Sequence, residues 1–302
     1  PEVPILTSEF SSPLFLKSFC ETAVAVRGGR AKVSKSIKDI AIGQSGMTKI
    51  LEDFYFTKQT QIFRQHHTEF QDIVSKNWLW KKSGNDCLIK RLAKAMAESE
   101  KESLSRAEAI GEIHNFLDNK FSQNRCSEVL NLLIQSGVVI RDLSYDAESS
   151  GYIEVIKFPF QKFSDHLIAR YFLNAHLKVH QPRKCLSPTS PIGKIFKDET
   201  SLQQRANIAE AILVEFPERI KKNRKSTDKD LHDYIAPAVK KSYIFREIYV
   251  QSLYWRHPNN FLNEKGDIKK SLIDYFNKGL LSYTHSRKEL LDLLLTSSIK
   301  PD

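Results

Sequence analysis

Apolar residues recur at helical spacing along most of this chain and at strand spacing in one place. Ser12-Pro13 sets an N-cap residue before a proline at the first helical position, and Leu14, Phe15, Phe19 and Ala23 follow at helical intervals. Gly28-Gly29 ends that helix, and a basic loop runs on to about Gly46. A second helix is predicted over Thr48 to Lys76, where Ile50, Leu51, Phe54, Ile62, Phe63, Phe70, Ile73 and Val74 form an amphipathic stripe. Trp78 and Trp80 close it.

The next stretch changes period. Leu88, Ile89, Leu92, Ala93 and Met96 mark one helix, Leu104 to Asn119 a second, and Ser127 to Gln135 a third that stops at Gly137. Ser105 followed three residues later by Glu108 is a capping box. Val138, Val139 and Ile140 are then a β-branched run, Asp146 to Gly151 is turn-like, and Tyr152, Ile153, Val155 and Ile156 read as the returning strand. An apolar helix follows over about Gln161 to Val179. Three helices and a hairpin give the outline of a winged helix, a relative of the helix-turn-helix.

Pro182, Pro188, Pro191 and Gly193 suggest a linker and a domain boundary. Beyond it the pattern is helical again, at Leu202 to Phe216, Leu231 to Val239, Tyr243 to Leu253, Ile268 to Phe276 and Arg287 to Leu295, with no clean repeat of fixed period. The expected fold class is therefore mainly α, with one small β-hairpin wing.

Charge sharpens this picture. The 302 residues carry a net +10, unevenly spread. Residues 1–85 hold 12 basic and 8 acidic side chains, residues 86–178 hold 12 and 13, and residues 179–245 hold 13 and 8. The positive charge avoids the segment whose fold suggests DNA binding. The third helix of that segment carries Arg125 and Glu128 and otherwise mostly Ser, Asn and Leu, whereas a groove reader needs Lys and Arg for phosphates and bases. A protein-packing use of the fold is the better fit. The densest basic run, Arg219 to Lys225, has no interleaved aromatic residue to stack on bases, so nucleic acid is a less favoured partner.

Motifs that carry chemistry are missing. There is no G-x-x-x-x-G-K-[ST], no close zinc-ligand spacing and no G-x-S-x-G. Adjacent residues on a helix point about 100° apart, so neither His66-His67 nor Asp165-His166 works as a facing pair. A packing or hydrogen-bonding role suits Asp165 and His166 better than catalysis. Cys20, Cys87, Cys126 and Cys185 are far apart in sequence and sit largely among apolar residues, as expected of thiols in a reducing cytoplasm. The longest apolar runs, such as Val129 to Ile134, are too short to span a bilayer. No catalytic residue and no metal site is expected within the chain.

Three segments resemble bacterial STAND NTPases with NACHT-type modules, in particular the Avs antiphage family. Phe10 to Glu21 (FSSPLFLKSFCE) looks like the stretch that follows the NTPase core in that family. Phe158 to Leu173 (FPFQKFSDHLIARYFL) is very similar to the helix that closes its winged helix. Phe216-Pro-Glu218 and Ser252 to Arg256 (SLYWR) are similar to elements just after that domain. The order and spacing of the three agree with the family.

The resemblance implies an internal fragment: a helical domain over residues 1–85, a winged-helix domain over 86–180, and the start of a helical, often TPR-like sensor over 190–302. It further implies an NTPase core that binds ATP or ADP with Mg, and an effector domain, both N-terminal to this chain. Target recognition, in that family of conserved phage proteins, releases the helical modules and the protein forms a homo-oligomer. Pro13 occupies the place of the family's proline that packs near the adenine. Phe160 stands where related NACHT proteins carry a His that contacts nucleotide phosphate. Phe has no hydrogen-bond donor, so sensing at that position would run through packing. Phe163, Asp165 and His166 lie in the most specific of the three motifs and are expected to pack the domain together. The other readings left open by the residues are a winged-helix transcription regulator and a plain helical interaction scaffold.

Overall fold

A computed structural model of the chain describes residues 44–66, 68–73, 78–81, 87–146, 150–223 and 231–254. The predicted helix after Pro13, Pro13 itself, Cys20, His67 and the predicted helices at 268–276 and 287–295 lie outside the described residues. What is described is mainly helical with one small antiparallel sheet. Contacts divide it into two compact units: the described residues of the first lie within Lys49–Tyr171, and those of the second are 44–48 and the stretch from Phe172 onward.

α1 is Gln44–His66, and all but its first five residues belong to the first unit. It ends about ten residues before the apolar stripe suggests. Phe70 N–H donates to the His66 carbonyl and Ile73 N–H to the Phe70 carbonyl, so the chain turns and buries both Phe70 and Ile73. Tertiary burial of the two side chains overrides the helical period here. After Trp78 and Trp80 comes α2, Leu88–Glu98, with Leu88, Ile89, Leu92, Ala93 and Met96 on its buried face.

β1 is Leu104–Ser105 and α3 is Arg106–Phe116. Ser105 caps α3 with the predicted capping box: its hydroxyl accepts from Glu108 N–H, and the Glu108 carboxylate accepts from Ser105 N–H at 2.6 Å. The helix therefore starts two residues later than Leu104, which is taken by the sheet. It stops short of Asn119 because Asp118 and Asn119 adopt left-handed φ values of 54° and 58°. α4, Gln123–Gln135, starts earlier than the apolar run because Ser122 accepts from Arg125 N–H as N-cap. Gly137, at φ 66°, ends that helical stretch as predicted.

The hairpin is β2, Ile140–Asp146, and β3, Gly151–Lys157, in sheet order β1-β3-β2. β1 pairs Leu104 with Ile156, and β2 pairs Ile140 with Lys157 through to Asp146 with Gly151, both antiparallel. Val138 and Val139 are buried just ahead of the strand rather than within it. Helix, short strand, two helices and a hairpin, with the short strand paired to the hairpin, is winged-helix topology.

α5, Gln161–His176, crosses from the first unit into the second. The proline-rich stretch after it is not an extended linker. It folds into α6, Pro182–Cys185, and α7, Pro191–Ile195, each with proline at its start. Ser190 caps α7, accepting from Gly193 N–H at 3.0 Å and donating to the Ser187 carbonyl. Next come α8, Glu199–Gln204, and α9, Ala206–Asn223, separated at Arg205. α9 is buried over Ala209 and Ala211–Leu213–Phe216, with Pro217 inside it. Pro237 splits the predicted 231–239 helix into a 3-10 turn, Leu231–Tyr234, and α10, Pro237–Lys241. α11, Tyr243–Tyr254, packs on α8, α9 and α10 through Phe245 and Tyr249.

Gly193, in the second unit, has no room for a side chain. A Cβ there would lie 1.8 Å from the Ser187 carbonyl oxygen and 2.5 Å from its carbon. Gly193→Ala is expected to lower stability by at least about 2 kcal/mol, read as a drop in urea midpoint without change in slope.

Candidate functional site

Within the first unit, the motif that opens α5 meets α1. Phe160 and Phe163 lie one turn apart on the chain entering α5, and both are buried. Their ring centroids are 4.9 Å apart, edge to face. Phe54 of α1 completes a triangle, 5.7 Å from Phe160 and 5.4 Å from Phe163. Tyr55, next in α1, stacks on Trp80 at 5.3 Å and meets Phe158 edge-on at 6.3 Å. Such pairs prefer tilted and offset geometries because ring faces are negative and edges positive. The Phe160 ring is thus occupied by packing, and it has no atom to donate to a phosphate.

Asp165 and His166 are both about 1% exposed. Gln161 donates to Asp165 Oδ1 at 2.9 Å, one helical turn away on the same helix face. Arg170, one turn past His166, forms an ion pair with Glu52 of α1 at 3.7 Å, both partners being mostly buried. Tyr171 donates to Glu98 of α2 at 2.5 Å. α5 is therefore held to α1 and α2 by both aromatic and polar contacts. Tyr55 is fully buried, burial pushes its phenol well above its ordinary pKa, and its hydroxyl has no partner among the described residues.

A contact that the sequence reading missed joins α1 to the winged helix. Gln59 is buried, and its side-chain carbonyl accepts from Leu79 N–H at 3.1 Å and Trp80 N–H at 2.8 Å. On the same short segment, the Trp78 and Leu79 carbonyls accept from Leu88 and Ile89 N–H. One amide side chain thereby satisfies donors that a sheet or helix would otherwise use. The signal in the sequence was slight: Gln59 is one of three buried polar residues in α1, with Asp53 and Thr57.

Arg125, at the start of α4, is also committed internally. It donates to the Glu69 carbonyl at 2.7 Å, to Asp72 at 3.1 Å and to Glu128 at 2.7 Å, and its guanidinium lies 4.5 Å from the Phe70 ring centre. Arg106 likewise bridges Glu154, Ser127 and Asn131. The arginines on and beside α4 are thus matched by carboxylates and amides of this chain. In the second unit Arg219, from the densest basic run, pairs with the buried Glu215 at 2.9 Å and donates to Asn174.

His66 faces Glu69 at 3.4 Å, with no metal implied. Among the described residues no group of three His, Cys, Asp or Glu side chains is placed to hold a metal ion, and no helix is long and apolar enough to cross a membrane. Cys87, Cys126 and Cys185 are buried and not joined in disulfides.

Two measurements check this geometry. Gln59→Leu keeps the volume but strands two buried N–H groups, and is expected to cost about 2–4 kcal/mol in chemical denaturation. Burial, and then the hydrogen bond to Glu98, push the Tyr171 phenol up to about 12. The raised value means the folded state holds this proton longer than the unfolded chain does. Its contribution is whole below about pH 10 and is lost as pH rises through 12. The alkaline limb of the stability profile is expected to flatten in Tyr171→Phe.

No family model, no curated protein and no solved structure matches this chain.

Proposed function

We propose that the chain is the regulatory and early sensor portion of a nucleotide-dependent STAND switch in antiphage defence. In this reading it relays target recognition to oligomerisation and to an effector, and performs no chemistry of its own. The observation that carries the reading is the spending of Arg125 on the Glu69–Asp72 turn and Glu128. A winged helix whose third helix, α4, has its one cation neutralised is suited to packing against protein, not to reading a groove. The aromatic triangle of Phe54, Phe160 and Phe163 supports the same use, since it fuses the preceding long helix to the winged helix.

ATP or ADP with Mg would be held by an NTPase core N-terminal to Pro1. Phe160 would report on nucleotide through ring packing, and Phe163, Asp165 and His166 would hold the module together. A phage protein is the proposed trigger, acting in the cytoplasm through the helices after Ile195.

Reading the coding sequence upstream of Pro1 tests this directly. A Walker A motif with a following Walker B acid is expected. An upstream region without a nucleotide-binding core would end the proposal. A gel-shift series with duplex DNA is expected to show no preferred sequence; a sequence-specific shift with a steep salt slope would favour the transcription regulator instead.

A further inference from the structure

The wing presents an open strand edge. β2 pairs with β3 on one side, and no strand among the described residues lies on the other. Leu143 and Tyr145 of β2 are 66% and 61% exposed, unusual for large apolar side chains on a strand. They share a face with Arg141, since alternate residues on a strand point the same way. Tyr152, opposite Tyr145 on β3, extends that face, with its ring 5.7 Å from the Tyr145 ring. The N–H of Leu143 is turned to its neighbour's carboxylate, Asp142 Oδ1, at 2.9 Å. The odd-numbered residues of β2 therefore carry their backbone groups to the open side.

From this we infer that β2 is a self-complementary edge, and that two copies of the chain join by antiparallel pairing of β2 with β2 about a two-fold axis at Leu143. The inference goes beyond the switch reading and needs only the hairpin.

The register follows from backbone geometry and charge. Only odd residues face outward, so outward residues of one copy must oppose outward residues of the other. This rules out every alignment that sets an odd position against an even one. Three central alignments remain. Pairing centred on Asp142 sets Asp142 against itself. Pairing centred on Ser144 sets Asp142 against Asp146 twice. Like charges directly opposite one another are destabilising. Pairing centred on Leu143 has neither fault. It sets Leu143 against Leu143 of the second copy, and Arg141 against Tyr145 of the second copy in both directions. The result is one apolar pair flanked by two guanidinium–aromatic pairs. On the other face, Asp142 meets Ser144 of the second copy, an acceptor opposite a hydroxyl donor.

Asp142 guards the edge in the single chain, and it is also held by Lys157. On pairing, Leu143 N–H exchanges that carboxylate for the Leu143 carbonyl of the second copy. The freed Asp142 oxygen accepts the Ser144 hydroxyl across the interface, so no polar group is left unmatched. A two-fold arrangement of one patch on both subunits is the commonest form of self-association.

Sedimentation equilibrium of the 302-residue chain tests this, alongside two variants and a rescue. Leu143→Pro removes an outward N–H without touching the ladder to β3. It is expected to weaken the dimer roughly tenfold or more, with circular dichroism unchanged. Tyr145→Arg, at an exposed position, sets guanidinium groups against each other and is expected to leave the chain monomeric. The double variant Arg141→Tyr, Tyr145→Arg exchanges the two partners and is expected to restore the dimer. A monomeric parent chain throughout the micromolar range would overturn the inference. So would a dimer indifferent to Tyr145→Arg, or a double variant that stays monomeric while folded.

Discussion

The arrangement of the first unit depends on one buried amide. Gln59 accepts from two consecutive backbone N–H groups, Leu79 and Trp80, while the carbonyls of Trp78 and Leu79 accept from the start of α2. A non-regular segment can be buried only if its backbone groups are paired. With them paired, Trp80 lies flat on Tyr55, and α2 begins at a fixed place relative to α1. The aromatic triangle and the Arg170–Glu52 pair then bring α5 onto the same helix. The interaction is polar and joins positions 20 and 21 residues apart, yet the apolar core is assembled around it.

The winged helix is consequently inward-looking. Its third helix, α4, begins with an arginine committed to a turn of the preceding segment, and Arg106 ties that helix to the hairpin and to α3. These contacts are partly exposed and individually modest, but each arginine makes several of them, and planar guanidinium geometry makes such sets cooperative. Among the described residues of the hairpin, Leu143, Tyr145 and Tyr152 stand in solvent. The fold keeps its helices for itself and offers its wing.

Much of this was legible in the sequence. The capping box at Ser105, the Gly137 stop, the returning strand and α11 follow from local chemistry, and local chemistry decides them. The errors share a cause. α1 ends early because Phe70 and Ile73 find burial by turning, which the helical period cannot show. The prolines at 182 and 191 start short helices because both chain stretches bury apolar residues, among them Ile192 and Ile195. The helix after the hairpin, α5, was legible from its apolar spacing alone. The role of Gln59 was not, since its partners lie about 20 residues away and are backbone atoms, which leave no mark on residue type.

α5 belongs to both compact units, the division falling between Tyr171 and Phe172. During synthesis the first unit emerges complete while the second is still being made. Starting a helix is the unfavourable step, and lengthening one is cheap. The turn that ends at Tyr171, already held by Glu98, is a ready template onto which Phe172, Leu173 and the residues to His176 add by propagation. The stretch of α5 past Tyr171 thus lengthens a helix already begun, in the direction in which the chain is synthesised.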